Sequence, residues 1–345
     1  MANWPLQAPF PWFGGKSTIA DVVWNYFGDV SNYVEPFFGS GAVLLNRPLP
    51  FDGVETVNDK DGFVANFWRA IQRDPEAVAN WANSPVNEND LHARHSYLVN
   101  LKDSFCARLD GDPDYYDVKI AGWWVWGICC WIGGGWCSGK GPWHVVEGQL
   151  VHLGDAGQGV KRQLVHLGDA GQGVNRQLVH LGNAGQGETA SEMPLLDWFF
   201  AIANRLFRVR VCSGDWSRVC GPTPTVKQGL TAVFLDPPYA DTASRTDNLY
   251  REDSNSVAHA VREWAIANGD DPRMRIALCG YAGEHLMPKS WTEHIWKARG
   301  GYGSQAKDGT NNNADRERIW FSPHCLTQID VQPSLFEPKL DGVSL

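Results

Sequence analysis

The strongest constraint on the fold is an alternation of strand, turn and helix that runs from residue 10 to 72, stops, and resumes beyond residue 205. Ser17 stands where it would cap a helix with Ile19, Val22, Val23 and Tyr26 on one face, and Gly28 lies just past its end. Tyr33 to Glu35 is a short extended run ahead of Pro36, which biases its predecessor toward β geometry. Gly39 and Gly41 follow, and then an apolar helix start at Ala42, Val43, Leu44 and Leu45. Val54 to Val57 reads as the next strand, with a polar turn, Asn58-Asp59-Lys60-Asp61, and a helix faced by Val64, Phe67, Trp68 and Ile71.

The second block repeats the rhythm. Val209 to Cys212 is extended, and Ala232 to Leu235 is a buried-type strand that ends in Asp236-Pro237-Pro238-Tyr239. Val257 to Ile266 is helical, Arg275 to Cys279 is a strand, and Arg318 to Phe321 is a last extended run expected to close the sheet. Both blocks predict an α/β fold around an open parallel sheet, with a nucleotide-like ligand at the C-terminal strand ends.

Between the blocks the composition changes. Residues 122 to 143 hold six Trp, three Cys and seven Gly. A 14-residue tandem repeat follows as Gln149 to Arg162, Gln163 to Arg176 and a partial copy, Gln177 to Gly187. Each copy alternates a β-prone run with a Gly-rich turn, so a β-meander and a looped insertion both fit, and a duplicated surface loop is favoured over a binding element. A Trp cluster is more often core than a wedge between bases. Cys129, Cys130, Cys137 and His144 lack the paired Cys-x-x-Cys form of a zinc site, and His152, His166 and His180 recur only because the repeat does. No metal is expected.

The chain has 345 residues, 43% hydrophobic and 20% charged, which excludes a disordered tail. Eight cysteines without a regular framework read as free thiols in a reducing compartment. No secretory leader and no membrane span is read, so a cytoplasmic location is expected. The net charge of -9 seems at first to oppose a nucleic-acid partner, but residues 52 to 117 hold 13 acids against 6 bases. Residues 117 to 227 hold 10 bases against 8 acids, and residues 289 to 318 hold 6 against 4. A local, modest basic surface with salt-sensitive binding is therefore expected.

Two motifs carry chemistry. A strand ending in Asp236 puts a carboxylate at the ligand edge of the sheet, while Pro237 and Pro238 remove two donors and Tyr239 adds a flat ring. Carboxylate, free carbonyl and ring together suit a planar heteroaromatic substrate bearing an amino group; the bland alternative is a β-turn with a surface Tyr. In Pro36-Phe37-Phe38-Gly39-Ser40-Gly41 the glycines allow close backbone approach at a helix N-terminus. Asp59 lies 18 residues beyond Gly41, near the spacing of an acid that accepts from ribose hydroxyls, with Asp61 the weaker candidate.

Taken in order, Pro11-Trp12-Phe13-Gly14-Gly15-Lys16, Tyr33 to Val43, Asn58-Asp59 and Asp236-Pro237-Pro238-Tyr239 resemble the motifs of Dam-type adenine-N6 DNA methyltransferases. The resemblance covers roughly residues 8 to 75 and 205 to 325. It implies a Rossmann-like, S-adenosylmethionine-dependent methyltransferase sheet built from residues 1–84 and 201–330. Residues 85–200, with the repeats at 149–187, would be an inserted target-recognition region, and 331–345 a tail. Trp12 and Lys16 would line the methionine end of S-adenosylmethionine, with Glu35, Phe37, Gly39 and Gly41 as the cofactor loop. Asp59 would take the ribose hydroxyls, and Asp215, in Ser213-Gly214-Asp215-Trp216, the adenine end. The alternatives are that Trp12 and Phe37 are ordinary core aromatics and that Lys16 merely solvates a helix start.

The resemblance further implies methyl transfer to N6 of an adenine flipped out of double-stranded DNA. Asp236 and the Pro237 carbonyl would accept its amino protons, Pro238 would fix the turn, and Tyr239 would stack on the base. Arg162 and Arg176, one at each repeat junction, are candidate DNA contacts. The family's recognition domain is smaller and helical, and the repeat aligns with no part of it, so the target sequence is not read. A monomer of the restriction-modification or phage type is expected. The alternatives are an N4-cytosine DNA methyltransferase, against which the Asp of the catalytic motif speaks, and a catalytically disabled DNA-binding relative.

Overall fold

The computed structural model describes residues 6–12, 15–112, 114–131, 135–137, 143–146, 149–152, 177–178, 182–183, 195–239, 255–297 and 316–327, the four short stretches between 143 and 183 as backbone only. In chain order the first block comprises α1 (Ala20–Phe27), β1 (Asn32–Glu35), α2 (Ala42–Leu45), β2 (Val54–Asp59) and α3 (Gly62–Arg73). Helices α4 (Pro75–Ala82), α5 (Glu88–Gly111) and α6 (Val118–Cys130) follow. Short strands β3 (Trp143–Val146), β4 (Gln149–His152), β5 (Gln177–Leu178) and β6 (Gly182–Asn183) lead to α7 (Leu195–Leu206) and β7 (Val209–Ser213). The second block adds β8 (Thr231–Leu235), α8 (Asn255–Asn268), β9 (Met274–Tyr281), β10 (Thr292–Ile295) and β11 (Glu317–Phe321).

Seven strands form one sheet in the order β10-β11-β9-β8-β1-β2-β7. Strand β1 pairs in parallel with both β2 and β8, and β2 with β7 and β8 with β9 likewise. The order therefore reverses at β1, which opens a crevice at the C-terminal ends of β1 and β8. These two strands are buried at every position, as a strand covered on both faces must be.

Two sequence expectations are corrected and a third is extended. Arg318 to Phe321 joins the sheet as part of β11 but does not form its edge: β11 runs antiparallel between β9 and β10, and the edge strand β10 is one the sequence reading leaves out. Ser17 caps nothing, because a 3-10 turn over Lys16–Thr18 precedes α1, and Ile19 is its N-cap without a side-chain bond. That turn sends Lys16 inward, to 5% exposure. The strand read as Val54 to Val57 continues through Asn58 to Asp59, and Asp59 stands at the strand end as its spacing from Gly41 suggests.

In the described part of the Trp-rich segment, Trp124, Trp126, Trp131 and Trp136 are core, while Trp123 is half-buried. In α6, Trp124 and Trp126 are buried in one apolar cluster with Phe67 and Trp68 of α3, Val78 of α4 and Phe199 of α7. Each buried indole needs an acceptor for its N–H. Trp126 Nε1 donates to Ser84 O at 2.8 Å, and Trp136 Nε1 donates to Trp124 O at 3.1 Å. Gly127 makes room for this packing, since a Cβ there would stand 1.9 Å from the Trp136 ring. Burial pushes the Cys129 thiol well up and that of Cys130 to about 12, which leaves both as packing groups at neutral pH. Among the described residues no group of three His, Cys, Asp or Glu is placed to hold a metal ion. Arg162, Arg176, His166 and His180 lie outside the described residues, as do the side chains of His144 and His152.

A buried Arg-Glu-Arg triad joins the blocks. Glu55 of β2 accepts from Arg47 at 3.0 Å and from both terminal nitrogens of Arg205, on α7, at 2.7 and 2.8 Å. The sheet resumes beyond the middle segment with α7 already tied to β2.

Candidate active site

At the end of β8 the chain leaves the sheet as Asp236-Pro237-Pro238-Tyr239. Asp236 Oδ2 stands 2.9 Å from Lys16 Nζ, in an ion pair with side-chain exposures of 6% for Lys16 and 14% for Asp236. Lys16 Nζ also donates to the Tyr239 hydroxyl at 3.1 Å. Tyr239 Oη lies 3.1 Å from Asp236 Oδ1 and 2.9 Å from Glu317 Oε2. Residues separated by more than 200 positions thus converge on one carboxylate. Tyr239 is 5% exposed, and its ring meets Tyr281 edge-on at 4.6 Å between centroids.

Glu317 was invisible to sequence reasoning. In Asp-Arg-Glu-Arg it looks like one more solvated charge, yet as the first residue of β11 it is 4% exposed. Burial raises its pKa, partly offset by the attraction of Lys16.

The glycine turn after β1 is built as its sequence suggests. Gly39 has φ of +47° and Gly41, at the N-cap of α2, has φ of +69°. At Gly39 a Cβ would fall 2.3 Å from Trp12 Nε1, so Trp12 lies directly against the turn. Trp68 Nε1 donates to Gly39 O at 2.8 Å from beneath, a support the sequence reading assigned only to the helix face. Asp59 accepts from Gly39 N at 2.9 Å and from Asp61 N at 2.8 Å, which fixes its carboxylate beside the turn. Asp61 caps α3 by accepting from Phe63 N, so the two acids have separate tasks. Asn58, unnoticed in the sequence except as a motif neighbour, donates to Pro36 O and to Gly214 O, each at 3.0 Å. It ties the ends of β1, β2 and β7 together.

Glu35 turns inward. Its Oε2 accepts from Tyr33 Oη at 2.8 Å, and complete burial drives its pKa well up. Asp215 is exposed and follows β7, whose Ser213 is in register with Asp59. Ser217 donates to Asp215 from its backbone at 3.0 Å and from its hydroxyl at 2.5 Å, and the hydroxyl bond leads in lowering the Asp215 pKa. Phe37 and Trp216 face one another at 6.4 Å, with planes 26° apart. A pocket of about 360 Å³ is lined by Asp215 itself together with Lys60, Lys102, Cys106, Asp110 and Gly214 among others. It reaches neither Trp12 nor the glycine turn.

Residues 12–115 match the model of the D12 class N6 adenine-specific DNA methyltransferases. A DNA N-6-adenine-methyltransferase of Escherichia phage P1 is 27% identical over 90 residues, which cover 26% of this chain and 11% of the phage protein. The chain thus matches about a tenth of that relative's length. The D12 match takes in Trp12, Lys16, the glycine turn and Asp59, all on one crevice, while Asp236, Tyr239 and Glu317 reach it from sequence beyond the match.

Proposed function

We propose that the protein transfers a methyl group from S-adenosylmethionine to the N6 amino group of adenine in DNA. The observation that carries this reading is the convergence of Lys16, from the D12-matched segment, on Asp236 and Tyr239 at the sheet's switch point. The sheet order, with one antiparallel strand inserted near an edge, supports a Rossmann-like methyltransferase domain made from residues 1–84 and 201–330. Residues 85–200 would carry target recognition on a base of helices that share the core of the first block.

The residues present fit S-adenosylmethionine. Gly39 leaves the backbone bare beside the Trp12 ring, Asp59 ends β2 and Asp215 follows the neighbouring parallel strand β7, and the Phe37 and Trp216 rings face one another at the same sheet end. Trp12 and Lys16 would hold the methionine end, Asp59 the ribose hydroxyls and Asp215 the adenine. When bound, S-adenosylmethionine supplies a methyl group on a sulfonium sulfur that leaves with the bonding pair. The amine of adenine is a poor nucleophile because its lone pair is spread into the ring. Asp236 and the Pro237 carbonyl accept hydrogen bonds from its two N–H groups, which returns electron density to nitrogen, and Asp236 takes the one proton that nitrogen sheds as the methyl group is bound. Lys16 holds Asp236 Oδ2, so the carboxylate is oriented before the base arrives. Glu35, with its raised pKa and its bond from Tyr33, stiffens the strand beneath the turn.

Incubation with labelled S-adenosylmethionine and unmethylated double-stranded DNA, followed by digestion to nucleosides, tests the reading. N6-methyldeoxyadenosine is expected. N4-methyldeoxycytidine would replace the target base, and no transfer to DNA would overturn the activity.

A further inference from the structure

The Tyr239 hydroxyl carries one proton and faces two carboxylates. Asp236 Oδ1 is 3.1 Å away and Glu317 Oε2 is 2.9 Å away, while Lys16 Nζ fills an acceptor site of the same hydroxyl at 3.1 Å. A single proton can serve only one of the two oxygens at a time. Its choice matters because the Lys16 ion pair draws on the charge of Asp236 Oδ2, which makes Oδ1 the stronger acceptor for an incoming amino group unless the phenol donates to it. A phenol that donates to Oδ1 competes with the substrate; one that donates to Glu317 does not.

We propose that Glu317 is a positioning residue that draws the Tyr239 proton away from Asp236 and so leaves Oδ1 open to the amino group of the target base. The proposal rests on the methyl-transfer reading above and deepens it. A carboxylate at 4% exposure is costly unless a partner requires it, and nothing in the sheet register requires an acid opposite Tyr281. While Glu317 is ionised it offers the Tyr239 proton a buried carboxylate at 2.9 Å, whereas Asp236 shares its charge with Lys16. Protonated, Glu317 can no longer take that proton as a carboxylate, and the phenol turns to Asp236.

The charged and titratable groups around Glu317 are Lys16 before α1, Asp236 and Tyr239 after β8, and Cys279 and Tyr281 on β9. Arg316 and Arg318 flank it on its own segment, Arg318 in an ion pair with Glu293 of the paired strand β10, and His294 and Lys297 lie on or just past that strand. Lys16 favours the ionised form; burial and Asp236 oppose it and raise the pKa. The sign follows directly: transfer falls as pH drops through a Glu317 pKa that lies above the ordinary carboxylate range.

The test is single-turnover transfer of labelled methyl to unmethylated DNA by wild type, E317Q, Y239F and the double variant, from about pH 5.5 to 9. E317Q is expected to slow transfer about tenfold, to leave KM for S-adenosylmethionine within about twofold, and to lose the acid-side fall seen in wild type. In the Y239F background, which has no phenol proton to redirect, E317Q is expected to add less than about twofold. Should E317Q fail to fold, E317D, whose shorter carboxylate recedes from Tyr239, is expected to slow transfer to a similar extent. Wild-type rates with an unchanged pH profile in the folded variant, or full additivity with Y239F, would overturn the role of Glu317 alone. A wild-type protein that transfers nothing to DNA would overturn the methyl-transfer reading first, and this inference with it.

Discussion

The sheet end around Asp236 and the aromatic helix α6 are both buried and both built from unusual residues, yet they solve opposite problems. Around α6 the buried indoles are neutral and have backbone partners: Trp126 donates to the Ser84 carbonyl and Trp136 to that of Trp124. Burial there is complete and inert, and it pushes Cys130 to about 12. At the sheet end, one cation, two carboxylates and a phenol crowd together, with more acceptors than the phenol has protons. A region satisfied by its own backbone makes a scaffold. A region whose partners compete for the same proton can exchange one of them for a substrate.

The sharpest way to break this contrast is at Asp236. D236A is expected to lower methyl transfer by roughly 10² to 10⁴ in kcat while circular dichroism and cofactor affinity stay near wild type. Loss of fold instead would mean that the Lys16 ion pair is part of the scaffold after all. In α6 the expectation is reversed. W126A should cost roughly 3 to 5 kcal/mol in urea unfolding, from the emptied volume and the unpaired Ser84 carbonyl, with the activity per folded molecule unchanged. An active-site defect in the folded fraction would erase the distinction.

Between these extremes lies the glycine turn, where scaffold and site meet. G39A places a methyl against Trp12 at a positive φ and is expected to cost roughly 1 to 3 kcal/mol, seen as weaker S-adenosylmethionine binding in calorimetry together with a lower melting temperature. A smaller effect concerns pH. Because the folded Glu35 pKa is raised, its contribution favours the fold most at low pH and is lost as pH rises through that raised value. E35Q should therefore flatten this part of the stability profile in melts across pH, and a slope equal to wild type would move the cause elsewhere. The smallest effect is expected from deleting one repeat copy, residues 163 to 176, which should leave the set of modified sites on genomic DNA unchanged. A shifted set would make the repeat part of recognition rather than a duplicated loop.

Much of this was legible in the chain because it is local. Asp236, Gly39, Gly41 and Asp59 each sit at a boundary where strand, glycine and helix signals meet, and such boundaries fall at the C-terminal edge of a parallel sheet wherever the sheet lies. Trp124 and Trp126 are ambiguous in the sequence, since an indole suits both a core and a base contact, and only their neighbours on α3, α4 and α7 decide for the core. Ser17 misled, because the side chain that matters in that turn is Lys16, whose partner is more than 200 residues away.

By itself the sequence determined the alternating architecture, the two-block arrangement and the motif residues, because hydrophobic period and glycine placement act over a few positions. Tertiary structure alone decided that β11 enters the sheet between β9 and β10, and hence that Glu317, a charge of no apparent note, is carried to the phenol of Tyr239. Strand order is set by contacts between distant segments. A buried carboxylate has meaning only through the groups that surround it.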